Sequence, residues 1–551
     1  MADTPVAIGV DYGTESGRVL LLDLGTGAEL AVETVSYAHG VIDASLPSGV
    51  PLDTDWALQH PDDWLAVLRR GVPAALARAA IDPSRVVGLG VDFTSCTVLP
   101  ATADGTPLCL LKPWTARPHA WPKLWKHHSA QPIADRMTEI ALERGEPFLR
   151  RYGGRISSEW YFPKLLEVFL EDRPVYDAAA VYLEATDWIV WQLTGTLARS
   201  ACAAGYKALW SAADGLPPRD YFVAVAPGFD RPAEKLGTQF APLGGRAGML
   251  APALARQLGL TGEVAVAVGN VDSFVSVPGC GVSDTGVLVS VVGTSICDMV
   301  VADDEVLLPG ITGVVREGIL PNSFGYEAGQ PAVGDMFAWY VDRLLGLAGS
   351  DSYARLEKEA ALLRPGASGL VALDWWNGNR SILGDADLGG VIMGLSLRTT
   401  AAEVYRTLLE AVAFGARAIV DNFVTHGLSL DRVVACGGIA EKSPLLMQMF
   451  ADVTSREVEV AGSPQVPARG AALFGAVAAG AARGGFADIT NAAARLRPAP
   501  ATVYRPDAGA RHAYDELYAL YRGVHDHLGR EHVEWLHGLK ALRRRSGRAA
   551  G

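Results

Sequence analysis

Ile8-Gly-Val-Asp11-Tyr-Gly13-Thr14-Glu15-Ser16-Gly17-Arg18 joins an apolar run to a Gly-Thr turn flanked by a hydroxyl, and a second apolar run then reaches Asp23. The plan recurs in the second half of the chain as Val287-Leu-Val-Ser-Val-Val-Gly293-Thr294-Ser295-Ile-Cys-Asp298. Each stretch reads as two strands joined by a tight tip. Glycine lets the backbone turn sharply and approach a ligand, while Thr and Ser set hydroxyl donors beside exposed amides. That donor set suits an anion. Two such tips, one per half, predict a polyphosphate gripped from both sides.

At 551 residues the chain exceeds a single hydrophobic core, and length alone suggests about three to four folding units. A composition of 49% hydrophobic and 20% charged residues is that of a soluble globular protein. The formal charge of −13 argues against a nucleic-acid face, which leaves Arg543-Arg544-Arg545 as a solvated end. Cys96, Cys109, Cys202, Cys280, Cys297 and Cys436 form no Cys-x-x-Cys pair, as expected for reduced thiols in the cytoplasm. No basic-then-apolar leader is present, and the uncharged run from Gly470 to Ala482 is too short for a bilayer. A cytoplasmic protein without nucleic-acid or membrane partners is expected.

Along the chain, strand and helix patterns alternate. Val6 to Val10, Val19 to Leu24, Val86 to Val91 and Val264 to Val268 read as strands, and Pro61 to Ala80 as an amphipathic helix. Residues 105–260, rich in Trp, Pro and Arg, read as insertions between sheet elements. Thr400-Ala-Ala-Glu403 is a capping box opening a long helix that ends before Gly427. Arg432 to Cys436 is a strand followed by Gly437-Gly438, and Ser443-Pro444 starts a further helix. Residues 467–483 and Arg511 to Leu528 are helical.

Several nucleotide machineries are missing. There is no Gly-Lys dipeptide for a P-loop, and Gly88-Leu-Gly90 lacks the third glycine of a dinucleotide fingerprint. The paired tips remain. Asp11 to Arg18 resembles the first phosphate motif of the FGGY carbohydrate kinases, within the actin/hexokinase/Hsp70 superfamily. Gly293-Thr294-Ser295 resembles the second phosphate motif, and Ala435-Cys-Gly437-Gly438-Ile-Ala-Glu441 the adenosine motif. Gly394-Leu-Ser-Leu-Arg-Thr-Thr with the Glu403 helix is similar to the family's C-terminal signature. Five strings resemble the branch that phosphorylates L-ribulose: Gly90 to Thr97, Gly154 to Trp160, Gly205 to Ala208, Gly269 to Gly279 and Gly325 to Gln330. Ser95-Cys96 stands where glycerol kinases carry an Arg-Glu pair, a departure that argues against glycerol.

The resemblance implies two ribonuclease-H-like α/β domains flanking a catalytic cleft, with helical insertions. Residues 1–285 would hold the sugar and the first tip, residues 286–490 the nucleotide, and residues 491–551 a helical tail. It implies ATP and Mg²⁺, a pentulose acceptor, and a place in L-arabinose catabolism; a homodimer is left open. Asp272 becomes the general base, although its local sequence alone reads more readily as a helix-capping Asp. Asp11, with Asp272, would hold Mg²⁺. Gly13, Thr14, Glu15 and Arg18 would face the phosphates from one side, Gly293 and Thr294 from the other, with Gly437 and Gly438 under the adenine. Glu15 is the odd member, since a carboxylate repels phosphate. Ser95, Cys96, Lys207, Asp272 and Glu327 would form the sugar pocket; by themselves Lys207 and Glu327 read as surface charges. Another sugar kinase for xylulose or D-ribulose is the near alternative, and an actin- or Hsp70-like ATPase the distant one. Trp375-Trp376-Asn377-Gly-Asn-Arg380 reads as a loop that closes over nucleotide or a partner subunit, or as a packed Trp pair. His127-His128 and the tail histidines read as surface residues without ligand spacing.

Overall fold

The computed structural model describes residues 4–347 and 349–548. β1 (Val6–Tyr12) is buried on both faces, as its unbroken apolar run requires. It pairs antiparallel with β2 (Ser16–Asp23), which pairs with β3 (Glu29–Ser36), while β4 (Val86–Phe93) lies parallel to β1. β5 (Val98–Ala101) and β6 (Val181–Glu184) make a separate small sheet. With β7 (Arg246–Met249) and β8 (Ala265–Ala267), the first sheet runs β3-β2-β1-β4-β8-β7, and β9 (Asn270–Val271) pairs with β4 farther along.

The second sheet repeats this plan. β10 (Val287–Val292) and β11 (Ile296–Ala302) form the second hairpin; β12 (Gly313–Arg316) and β13 (Phe324–Gln330) extend it on one side. β14 (Val371–Leu373) and β15 (Val391–Met393) pair apart. β16 (Arg432–Cys436) and β17 (Glu457–Val460) add in parallel, and β18 (Thr502–Tyr504) closes the order β12-β13-β11-β10-β16-β17-β18. In each sheet an antiparallel run, three strands in the first and four in the second, is followed by parallel strands joined through helical crossovers and closed by an antiparallel edge strand. This is the ribonuclease-H-like plan used twice, as expected.

The helix Val466–Ala479 follows the second sheet's strands in sequence but packs on β1 and β4 of the first. Its approach is backbone to backbone. A Cβ on Gly9 would sit 1.7 Å from the Ala468 carbonyl oxygen, and one on Gly90 1.9 Å from that of Ala471. Gly88 meets Gly475 in the same way, at 2.0 Å. The Gly88-Leu-Gly90 pair therefore serves helix–sheet packing. Around this helix a shared core joins Ala7, Leu20 and Leu22 of the first sheet to Val287, Val289 and Val434 of the second.

Two expected elements differ. The helix expected over Pro61 to Ala80 is interrupted: Pro61–Ala66 and Val72–Ala79 flank a π-turn at Val67–Gly71. Pro73 has no N–H to donate into the preceding turn, and the wider turn absorbs that loss. The tail expected from residue 491 is helical only in part. β18 is the edge strand of the second sheet, and Tyr514 and Tyr521 of the helix Ala508–Asp526 are buried in that unit's core. Apolar side chains at helical spacing on one face draw this segment inward. Among the described residues no helix is long and apolar enough to cross a membrane.

Candidate active site

The strand register assembles an acidic cluster. Asp11, next to last in β1, lies opposite Asp92 of β4, and Asp92 pairs in turn with Asn270 of β9. Two residues later Asp272 begins the helix Asp272–Gly279. Parallel strands thus deliver three carboxyls to one end of the sheet, the place where α/β folds bind ligands. Arg18, facing Asp11 across the hairpin, donates from Nη1 to its Oδ2 at 3.0 Å. The Ser273 amide donates to Asp272 Oδ1 at 2.6 Å, and Ser276 Oγ to the Asp272 carbonyl at 2.9 Å.

Burial, and next the charge of Asp11, push the Asp272 carboxyl up to about 7; the Ser273 amide and Lys207 work against that rise. Asp92 is wholly buried and neither of its oxygens has a partner among the described residues. Burial first, then Asp11 and Asp272, hold it well above the carboxylate range. Asp92 is a site residue that the sequence reading passed over. Its strand was legible and its level was not, because only the β1–β4 register places it beside Asp11.

A second constellation crosses from one sheet to the other. Lys207 ends the helix Ala201–Lys207 in the first unit, and Glu327 lies in β13 of the second. Lys207 Nζ donates to both Glu327 oxygens, at 3.0 and 2.7 Å, and both side chains are buried. Burial would depress the lysine, but the carboxylate overrides it and holds it above its ordinary value. The surface reading of these two residues is thus replaced by a buried pair. Cys96 is buried beside them with a left-handed backbone (φ 60°), and its carbonyl accepts from Lys164 Nζ at 2.7 Å. Burial pushes its thiol up to about 12, so it is a small neutral wall and not a nucleophile. Ser95 is half-buried next to it. From the second unit, Arg380 Nη2 approaches Glu159 Oε1 at 3.5 Å. Neither was named as a site residue, although both lie in strings quoted above.

The two tips are built alike. In the first, the Gly13 amide donates to the Ser16 carbonyl at 3.0 Å, and Tyr37 Oη donates to the Gly13 carbonyl at 3.0 Å. Thr14 is pinned twice: its carbonyl accepts from Gln59 Nε2 at 2.8 Å and its Oγ1 from Trp125 Nε1 at 3.1 Å. Because Oγ1 accepts there, its own hydrogen stays free to donate. Glu15 is exposed. In the second tip the Gly293 amide donates to Ser295 at 2.9 Å, and the carbonyls of Gly293 and Thr294 accept from Gly334 and Val333 at 3.1 and 2.8 Å. Gly437, at φ 94°, abuts this tip, since a Cβ there would lie 2.7 Å from the Val292 carbonyl oxygen. Gly438 faces open space. The structure therefore groups Gly293, Thr294, Gly437 and Gly438 in one unit, and Asp11, Asp272 and Arg18 in the other.

The histidine reading needs correction. His127 is fully buried, with Nε2 2.9 Å from Glu167 Oε2, which also receives Lys123 Nζ at 2.5 Å. Burial, then Lys123, push its imidazole down to about 3, so it is a neutral hydrogen-bonding partner. Apolar insertions fold over it, which a local His-His pattern does not reveal. His525 is likewise buried, with its ring against Trp375. In the tail, a π-turn at His527–Glu531 brings His527, Glu531 and His532 within 4.8 Å of one another on the surface, a proximity not read from their spacing. Trp375 is core and Trp376 packs on Trp339, so the packed-pair reading holds for both.

Comparison with known proteins converges on one family. Residues 288–479 match the model of the FGGY family of carbohydrate kinases, C-terminal domain. The chain is 48% identical over 543 residues to the ribulokinase of Anoxybacillus flavithermus, covering 97% of this chain and 96% of that one. It is 49% identical over 548 residues to the ribulokinase of Geobacillus thermodenitrificans, with coverages of 97% and 96%. Among solved structures, xylulose kinase from Rhodospirillum rubrum superposes with a TM-score of 0.79 at 24% identity, over 97% of this chain and 100% of that one. Glycerol kinase from Plasmodium falciparum with ADP gives 0.75 at 15%, over 94% and 98%. Those two likenesses show the shared fold. A repeated ribonuclease-H-like core and near-complete coverage by relatives at 48–49% identity place this chain in the FGGY family of carbohydrate kinases, among its ribulokinases.

Proposed function

We propose that this chain transfers the γ-phosphoryl group of ATP to the terminal hydroxyl of L-ribulose, yielding L-ribulose 5-phosphate and ADP. The observation that carries this reading is the Asp272 carboxyl, poised near 7 beside the Lys207–Glu327 pair. A base titrating near the working pH is available as the anion and still basic enough to accept a proton. As the sugar oxygen bonds to phosphorus, its proton passes to Asp272; the bond from phosphorus to the β,γ-bridging oxygen breaks and ADP leaves with that electron pair. Glu327 accepts from sugar hydroxyls and Lys207 donates, while Cys96 limits the width of the pocket. Gly13, Thr14 and Arg18 approach the phosphates from the first unit, Gly293 and Thr294 from the second, and adenine rests against Gly437-Gly438. Glu15, exposed, stands aside.

The carboxyl cluster fits a Mg²⁺ ion. All its donors are oxygens, and the two unpartnered oxygens of buried Asp92 are what a cation would satisfy. Asp11, Asp92 and Asp272 would hold it, directly or through water. When bound, the ion neutralises phosphate charge that the protein's own donors leave unbalanced. Water competes with the sugar for the phosphoryl group, so closure of the two units over the cleft protects the transfer. Such an enzyme serves L-arabinose use.

The test is a substrate panel with ATP and Mg²⁺. L-Ribulose is expected to give the highest kcat/KM against D-ribulose, D-xylulose and glycerol, with one ADP formed per sugar phosphate. A tenfold preference for D-xylulose, or ATP hydrolysis with no phosphorylated sugar, would overturn the reading.

A further inference from the structure

Arg380 belongs to the loop that joins Trp375 to Asp385, and that loop is tied by its own backbone. Asn379 and Asp385 exchange two backbone hydrogen bonds at 2.8 Å, and the Gly378 amide closes on the Trp375 carbonyl at 3.0 Å. Trp375 anchors it in the core. Next to Arg380, Ser381 Oγ accepts from the Gly329 amide at 3.1 Å, two residues along β13 from Glu327. Farther round the loop, a Cβ on Gly384 would lie 3.4 Å from Arg155, in the first unit's 154–160 segment. The loop is thus docked on the strand carrying Glu327 and reaches the segment carrying Glu159.

The Arg380–Glu159 pair differs from its neighbour. Lys207 and Glu327 close to 2.7 Å at 4% and 8% side-chain exposure, whereas Arg380 and Glu159 stand 3.5 Å apart at 21% and 19%. Its guanidinium uses one hydrogen bond among the described residues, leaving further donors of its fork without a protein partner. Electrostatically, Glu327 acts on both Asp272 and Arg380, and Glu159 acts on Lys207. The Lys207–Glu327 pair is thus a neighbour both of the proton-accepting carboxyl and of the Arg380–Glu159 pair. A loose, partly exposed pair of pure donor and pure acceptor can open to admit a ligand that offers one acceptor and one donor on adjacent carbons. The keto end of a ketose is such a group: a carbonyl oxygen beside a primary hydroxyl.

We propose that Arg380 and Glu159 form the far end of the sugar pocket, where Arg380 donates to the ketone oxygen at C2 and Glu159 accepts from the hydroxyl at C1. This subsite rests on the proposed transfer at Asp272 and extends it from where the phosphoryl goes to which acceptors are held. It selects ketoses over the corresponding pentitols, because a hydroxyl in place of the carbonyl offers Arg380 a tetrahedral, off-plane acceptor. It also gives a chemical role to the polar tip of a loop whose tryptophans are structural.

Full-length wild type, Arg380→Gln, Arg380→Lys and Glu159→Gln are compared with L-ribulose, with the pentitol L-arabinitol and with ATP as varied substrates. Expected are a tenfold or larger rise in KM for L-ribulose, a kcat within about threefold, an unchanged KM for ATP and a collapse of the ketose-over-pentitol preference. Arg380→Lys, which keeps charge and loses the fork, is expected to fall between. An equal loss on ketose, pentitol and ATP would reduce the pair to a latch between units and overturn the subsite, as would an unchanged KM for L-ribulose. Glu159→Gln, on the opposite element, carries the test should Arg380→Gln not fold. If wild type turns over another pentulose in place of L-ribulose, the substrate assignment fails while the same comparison on that pentulose still decides the subsite.

Discussion

In the proposed transfer Asp272 is the base, a role that activity needs and stability does not. Its folded-state value of about 7 is raised, so it must lose its proton to act, and kcat/KM is expected to climb with pH through about 7. A flat profile between pH 5.5 and 8 would remove Asp272 from the proton transfer. Asp272→Asn should lower kcat by about 10³-fold or more while isothermal titration still detects sugar binding. Linkage gives the same residue a second signature. A raised carboxyl favours folding while protonated, and that contribution is lost as pH rises through about 7. Asp272→Asn should therefore melt higher than wild type at pH 8, by a few degrees at most, with a smaller gain at pH 5 and none below the unfolded value of about 3.9. The aspartates at strand ends were readable from sequence as Asp11 and Asp272. The level of Asp92, the burial of His127 and the partnership of Glu159 with Arg380 depended on residues far apart in the chain.

At the scale of elements, the helix Val466–Ala479 and the glycines beneath it set how the sheets meet. Gly90→Ala puts a methyl group where the Ala471 carbonyl oxygen already lies 1.9 Å away, and the helix must lift to accommodate it. A loss of roughly 1–3 kcal/mol is expected from such overpacking, read by urea unfolding. An exposed position behaves differently. Thr400 and Glu403 exchange the hydrogen bonds of a capping box at the start of the helix Ala401–Thr425, and Thr400→Ala should cost about 1 kcal/mol while leaving kinetics intact. The box was legible because every partner lies within four residues. Gly88-Leu-Gly90 could be excluded as a nucleotide fingerprint, yet the reason for its glycines lay nearly 400 residues away (at Gly475).

For the whole molecule, two of the bonds between the units, Lys207–Glu327 and Arg380–Glu159, join charges. Lys207 and Glu327 come from different units and are both buried. Glu327→Gln leaves an ammonium without its counter-ion, and a loss of about 3–5 kcal/mol is expected together with loss of sugar affinity. The double variant Lys207→Met with Glu327→Leu should recover much of that stability without recovering activity; a double variant as unstable as the single one would show that the pair is not what the burial costs. Closure itself is measurable. Saturating sugar with a non-hydrolysable ATP analogue should shrink the radius of gyration in X-ray scattering, and an unchanged value would show that the cleft is already shut.

The residue order alone determined the two Gly-Thr hairpins, their flanking strands, the capped helices and hence the repeated α/β plan. Each of these is a local pattern of apolar spacing and turn chemistry that short-range sterics enforce. Only the folded chain decided which polar groups leave water together. Strand register set Asp92 beside Asp11, a returning helix fused the two units through backbone contact, and loops from opposite halves brought Arg380 to Glu159. Burial and charge pairing depend on distance in space, and no spacing along the chain encodes that distance.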